Sequence, residues 1–436
     1  MIPVAESEKV LIITYYWPPS GGSGVQRWLK FVKYFPGNGI TPIVFTPKDP
    51  YFNMKDPSLL KDIPPEAEVL HFPIFEPNRL FDRFKKIFGA GSSANSSLSE
   101  PGGIAAFIRS NFLIPDPRIF WVRPSVEFLE RFIKENEIKT IVTTGPPHSV
   151  HLIGLKLRKK NPDLAWLADF RDPWTTWGFL LGMKPSGLAM KVHRRLEKQV
   201  LANATAVTTV SPFYSRQLGL LGNRSVEVIT NGFDSEDFKD LSFRAAEKFI
   251  IRHVGILHPA CNPVPFLMSL KKWITDRGLE HMVELHFTGL INRTLQELLD
   301  RDELLSKIIK VQDPVGHRQL ISLYGETSAL LLILTGYRDA EGFLPGKLFE
   351  YLATGLPLIA EGPATGDAAG IIKRSGAGKM VESNDYAGMT NELNNAFDHW
   401  SKKSPVIPMP EGAKEFSREY LSGKMAVLLR QLKNKK

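Results

Sequence analysis

Val10-Leu11-Ile12-Ile13-Thr14-Tyr15-Tyr16 runs directly into Trp17-Pro18-Pro19-Ser20-Gly21-Gly22-Ser23-Gly24. The first half is an almost unbroken apolar β-former, the composition of a strand covered on both faces in a parallel sheet. The second half is a loop: its prolines end the strand, and its glycines let backbone amides approach an anion. A helical pattern over residues 25–35 and a strand over 41–46 follow, which completes a βαβ unit. Taken alone, the glycine loop also fits a plain tight turn. Its spacing is not G-x-G-x-x-G, and no acidic residue ends the second strand to hold a ribose, so a dinucleotide site is disfavoured.

The alternation continues outward from this unit. Strand-like runs recur at 68–72, 140–144, 165–170, 206–210 and 226–229, with helical patterns at 125–135 and 190–201. The turn at Asn231-Gly232 and the polar stretch 235–248 read as a boundary and linker. The pattern then restarts with strands at 249–255, 283–289, 308–311, 330–334 and 358–360 and helices at 265–276, 318–326 and 347–353. Strands alternating with helices predict doubly wound sheets, and 436 residues exceed one ordinary core. The expected fold class is α/β: two Rossmann-like doubly wound domains facing across a cleft. The expected boundaries are 1–235, with a flexible Gly/Ser-rich loop at 89–103, then 236–405, then a C-terminal helix within 406–436 packing back toward the first domain. Such sheets bind ligands at the carboxyl ends of their strands.

Charge narrows the partners. A formal net charge of +9 favours anionic ones. The sequence holds no zinc-ligand spacing, no aromatic–glycine RNA motif and no block of five or six basic residues, so nucleic acid gives way to phosphate-bearing substrates or a membrane surface. The single cysteine, Cys261, cannot pair internally and suits a reducing compartment. No apolar run approaches the ~18–20 residues of a bilayer span. Glu6 and Glu8, ahead of a short apolar run, do not read as a signal peptide. The expected location is cytoplasmic, with peripheral attachment to the inner face of the membrane as an extension. That extension rests on residues 79–88, where Leu80, Phe81, Phe84, Ile87 and Phe88 share a helical face ringed by Arg79, Arg83, Lys85 and Lys86. This is the pattern of an interfacial helix, and Phe81, Phe84, Lys85 and Lys86 are the candidate membrane or acceptor contacts. A helix packed on the first domain is the alternative.

Chemistry concentrates in Glu341-Gly342-Phe343-Leu344-Pro345-Gly346-Lys347-Leu348-Phe349-Glu350-Tyr351-Leu352-Ala353-Thr354-Gly355-Leu356-Pro357. It reads as a loop entering a short helix. The helix N-terminus and Lys347 together suit a diphosphate. Glu350, three residues on, shares that face, and a carboxylate accepts two ribose hydroxyls. An exposed Lys–Glu pair is the plain alternative.

This segment resembles the donor-binding motif of family-4-type glycosyltransferases with the GT-B fold, in the branch reading K-L-F-E-Y-L-A-T-G-x-P. Pro18-Pro19 with Gly21-Gly22, Thr144-Gly145-Pro146-Pro147-His148-Ser149 and Asp169-Phe170-Arg171-Asp172-Pro173-Trp174 resemble further motifs of that family, as do Thr209-Val210-Ser211 and Ile229-Thr230-Asn231-Gly232-Phe233-Asp234. The resemblance implies a retaining transferase that takes sugar from a nucleotide-diphosphate sugar to a saccharide or lipid-linked acceptor, in surface-polysaccharide assembly, with no metal and no cofactor. It also implies roles. Glu350 would bind the ribose and Lys347 the diphosphate, while Glu341, Gly342, Phe343 and Leu344 would face the sugar. Gly21 and Gly22 would reach the phosphates, and His148 would sit at the sugar–acceptor junction with Asp172 near the acceptor. Two features depart from the pattern. Gly342 stands eight residues before Glu350 where many relatives carry glutamate, and Cys261 stands where they often carry arginine, which leaves Arg252, His258 or another cation to compensate. From the residues alone, His148 also fits a helix cap, and Asp169 with Arg171 fits an internal ion pair. Two other functions fit the same architecture: a nucleotide-sugar epimerase and a catalytically silent binding protein.

Overall fold

A computed structural model describes residues 7–51, 55–76, 103–176, 178–244 and 246–433. The expected interfacial helix with Phe81, Phe84, Lys85 and Lys86, and nearly all of the 89–103 loop, lie outside the described residues. The chain forms two compact units, residues 1–230 with 418–436, and residues 231–417. Residues 406–417, grouped above with the C-terminal helix, thus belong to the second unit. There Ala413 and Phe416 are buried in its apolar core.

The first unit is built on a seven-stranded parallel sheet in the order β3-β2-β1-β4-β5-β6-β7. Its strands are β1 Glu8–Ile13, β2 Ile40–Lys48, β3 Glu68–Pro73, β4 Thr140–Gly145, β5 Ala165–Phe170, β6 Ala206–Thr209 and β7 Glu227–Val228. In β1 the run Val10-Leu11-Ile12-Ile13 is wholly buried, as a strand covered on both faces must be. Ile12 lies between Val44 of β2 and Val142 of β4. β1 ends at Ile13, three residues before the apolar run does, and beyond it Tyr15 donates its hydroxyl hydrogen to Glu76 (2.5 Å). The helix Ser23–Tyr34 lays Trp28, Phe31, Val32 and Phe35 against one face of the sheet. The C-terminal helix Arg418–Leu432 covers them with Leu421, Met425, Leu428, Leu429 and Leu432, and Ser422 Oγ donates to the Phe31 carbonyl (3.2 Å). The helices Ile119–Glu135 and Ser149–Lys160 cover the other face.

The second unit repeats the plan with six parallel strands in the order β10-β9-β8-β11-β12-β13. These are β8 Phe249–Val254, β9 Val283–Thr288, β10 Ile309–Gln312, β11 Ala329–Ile333, β12 Leu358–Glu361 and β13 Gly378–Val381. Both sheets therefore reverse their strand order after their first strand, between β1 and β4 and between β8 and β11. Such a switch point leaves an open crevice at the strands' carboxyl ends. Among the described residues, no helix is long and apolar enough to cross a membrane.

Candidate active site

In the second unit the crevice between β8 and β11 is occupied by the start of the helix Gly346–Thr354. Pro345 precedes it and no side chain caps it, so its first-turn amides face outward as donors. Lys347 is partly exposed, and its Nζ lies 3.0 Å from His253 Nε2 on β8. Burial pushes the lysine's pKa down to about 8, against the smaller pull of Cys261 and Glu350. Burial and the neighbouring Lys347 hold the His253 imidazole neutral, well below its ordinary value. His253 therefore accepts from Lys347, which leaves its buried Nδ1 without a partner. One turn along the helix, the Glu350 carboxylate accepts a hydrogen bond from Tyr324 (3.2 Å), and His317 Nε2 lies 3.6 Å from its other oxygen. Tyr351 locks the helix to the sheet by accepting from the Val254 amide (2.8 Å).

The loop before this helix is less open than the sequence suggests. The Gly342 and Phe343 amides close turns onto Asp339 and Ala340. Leu344 is buried in the core, and Phe343 packs against Tyr337 at 4.8 Å between ring centroids. Glu341 is exposed, and its carbonyl accepts from the Asp367 amide (2.7 Å). Neither suggested substitute cation joins Lys347. Arg252 donates to Thr327, Thr288 and Gln312, and His258 accepts from the Ala260 amide within its own turn. Cys261 is buried, with its thiol pushed up to about 12. Sequence reasoning missed Glu361 at the end of β12, a buried carboxyl raised by burial to about 7 despite hydrogen bonds from Ser383 and Thr335.

In the first unit the crevice between β1 and β4 is lined by two loops. Gly22 adopts φ 86°, a conformation that favours glycine, and it precedes the helix Ser23–Tyr34, which again has no side-chain cap. Arg171 ties this loop to the next, donating to the carbonyls of Gly24, Gly145 and Pro146. Asp169 does not pair with Arg171. It pairs with Arg27 (2.9 Å) and accepts from Trp28, Thr144 and Thr208. Burial would raise the Asp169 carboxyl, but Arg27 and these hydrogen bonds outweigh it and hold the group below its usual range. The buried pair thus fixes the glycine-loop helix to β4, β5 and β6.

His148 does not cap the helix Ser149–Lys160. Asp116 does, accepting from the Ser149 amide (2.8 Å) and hydroxyl (2.9 Å). The His148 ring instead lies flat on Trp174, 5.1 Å between centroids at 2°. It is buried and kept neutral, by burial first and then by His151 and Arg171, and neither ring nitrogen has a protein partner. A Cβ on Gly145 would stand 2.6 Å from His151 Nε2 and 3.1 Å from His148 Nδ1, so this glycine makes room for both rings. Trp174 is held in turn by His193 (3.0 Å) and Glu197 (3.1 Å). Asp172, beside Arg171, is partly buried with its carboxyl raised by that burial. Among the described residues no group of three His, Cys, Asp or Glu side chains is placed to hold a metal ion.

No family model matches the chain, and no curated protein matches it. Solved structures do. Sucrose-phosphate synthase from Thermosynechococcus elongatus superposes with a TM-score of 0.61 at 15% identity, over 98% of this chain and 100% of that one. A glycosyltransferase from Rickettsia africae gives 0.62 at 14%, over 98% of each chain. The catalytic domain of starch synthase IV from Arabidopsis thaliana, bound to ADP and acarbose, gives 0.57 at 13%, over 99% of each. The chain has the GT-B fold of these glycosyltransferases, two Rossmann-like parallel sheets in one polypeptide. At these identities the likeness is one of fold.

Proposed function

We propose that the chain transfers sugar from a nucleotide-diphosphate sugar to a saccharide or lipid-linked acceptor, with retention at the anomeric carbon and without a metal. One observation carries this reading: Lys347 stands at an uncapped helix start in the β8–β11 crevice, its charge disfavoured by burial, one turn from Glu350. A diphosphate there would compensate that charge and take the first-turn amides, while the ribose hydroxyls would reach Glu350. The same donors would stabilise the diphosphate as it leaves. His148 and Asp172 serve the transferred sugar and acceptor, and Gly21 and Gly22 offer amides at the other uncapped helix. With retention, the departing phosphate can take the acceptor proton. The catalytic domain of starch synthase IV is bound to ADP and acarbose, and this reading extends the binding of a nucleotide and a saccharide to this chain. Assembly of surface polysaccharide at the cytoplasmic face of a membrane is its physiological form.

The test is a thermal-shift screen of nucleotide-diphosphate sugars, followed by donor turnover with and without saccharide acceptors. At least one donor should raise the apparent stability by mass action, and product should form only with acceptor present. A screen in which no uridine, guanosine or adenosine diphosphate donor shifts the protein would sink the reading. Conversion of the sugar without acceptor would make the chain an epimerase instead.

A further inference from the structure

The first unit carries a second charged feature, remote in chemistry from the donor grip. On the helix Gly187–Asn203, Lys191, Arg194, Arg195 and Lys198 recur at i, i+3, i+4 and i+7, so all four project from one face. All are exposed, and among the described residues none makes a salt bridge, although the Arg194 charge acts on the buried Glu197 carboxyl. They border a groove of about 870 Å³ whose only carboxylate, Glu197, is buried and spent on the Trp174 and Thr175 amides.

Apolar side chains flank the N-terminal end of the stripe. Leu188 is 75% exposed and Val192 39% on the same helix. The helix Gly103–Phe112 is bound to this region through Ser110 to the Met183 carbonyl and through the Ser186 amide to Asn111. It exposes Phe107, Ile108 and Phe112, the last at 73%, with the two phenylalanine rings 6.4 Å apart. Arg109 of the same helix lies over the ring of Phe179, 5.3 Å from its centroid. Exposed aromatic and aliphatic groups next to a cationic stripe make the two-part surface that an anionic bilayer takes: apolar groups enter the acyl boundary and cations meet the headgroups.

We propose that this face of the first unit binds an anionic lipid bilayer, with Phe107, Phe112 and Leu188 as the inserted edge and Lys191, Arg195 and Lys198 as the headgroup contacts. The surface would bring the chain to a lipid-linked acceptor, yet its existence does not depend on sugar transfer. The test is co-sedimentation of the full chain with phosphatidylcholine vesicles, with and without phosphatidylglycerol. Binding should require phosphatidylglycerol and fade in high salt. The variant K191Q/R195Q/K198Q should bind about a hundredfold more weakly, at about fivefold per cation. The variant F112S/L188S should lose at least about tenfold while keeping its salt sensitivity. Thermal unfolding of both should match the parent. Absence of vesicle binding, or equal binding by the triple variant, overturns the proposal. So does tight binding of soluble polyphosphate without vesicle binding, which would assign the stripe to a dissolved polyanion. Nucleoside-diphosphate titrations of the same variants report on the donor reading separately.

Discussion

Replacing Lys347 with methionine should separate ligand binding from stability, in opposite directions. In the free protein the ammonium group is charged against burial. Its pKa falls from 10.5 to about 8, which corresponds to about 3 kcal/mol at full weight and about 2 kcal/mol once partial solvent exposure is allowed for. The folded value lies below the unfolded one, so the unfolded chain binds more protons between pH 8 and 10.5. Stability therefore rises with pH through that window, and at pH 7 the whole penalty is present. Lys347→Met removes it, so thermal stability at pH 7 should hold or increase. Nucleoside-diphosphate affinity should nevertheless fall by about 10- to 100-fold, the worth of a charge-assisted hydrogen bond. A second readout follows from the same shift. Burial lowers the lysine's pKa to about 8 in the free protein, and a bound diphosphate would restore its charge, so binding should be accompanied by proton uptake near pH 8. Calorimetric titration in two buffers of different ionisation enthalpy measures this directly. If the methionine variant bound as tightly as the parent, the phosphate role of Lys347 would be wrong.

Glu350→Gln should weaken nucleoside diphosphates by roughly tenfold while leaving their 2′,3′-dideoxy counterparts unaffected, because only the former offer hydroxyls to the carboxylate; competition titrations distinguish the two. Gly145→Ala places a methyl group 2.6 Å from His151, so it should cost about 1–3 kcal/mol in denaturant unfolding and abolish transfer without altering diphosphate affinity. Asp169→Asn strips the buried Arg27 of its counter-charge and should cost about 3–5 kcal/mol. Because the folded Asp169 pKa is depressed, the parent's stability from this group is present above the ordinary carboxylate value and lost as pH falls through the folded one. Acid titration of the variant's unfolding should lack that part of the slope. His148→Ala should lower turnover with little change in diphosphate binding. Since the ring is neutral well below pH 6.5, the parent's rate profile should show no histidine limb near that pH.

The strands were the legible part of this chain. Runs such as Val10–Ile13 and Leu330–Ile333 are continuous because both faces of a parallel strand are buried, and that leaves an unmistakable apolar signature. β13 is four residues long, opens on Gly378 and Lys379 with only Met380 and Val381 buried, and carries no comparable signal. The site divides in the same way. The placement of Lys347 and Glu350 on one short helix was readable because helix start, cation and carboxylate are neighbours in sequence. Their partners were not: His253 lies 94 residues from Lys347, and Arg27 lies 142 from Asp169. No local pattern could pair them. The turns that take up the Gly342 and Phe343 amides were not legible either, since their acceptors are backbone carbonyls that no side-chain pattern marks.

The two switch points also differ in what they would offer a phosphate. Each sheet offers an uncapped helix at its crevice, so dipole and amides alone do not discriminate between them. Charge does. In the first unit the nearby cations are consumed: Arg27 neutralises Asp169, and Arg171 spends its guanidinium on three backbone carbonyls. In the second, the hydrogen bond of Lys347 goes to a histidine that burial keeps uncharged. That arrangement orients the ammonium group without neutralising it, and burial holds the lysine's pKa below its ordinary value. An anion entering this crevice gains what the fold has withheld, whereas one entering the first would have to compete with Asp169 for Arg27. Substituting the first unit's arginines should therefore show up chiefly as lost stability, and substituting Lys347 chiefly as lost affinity.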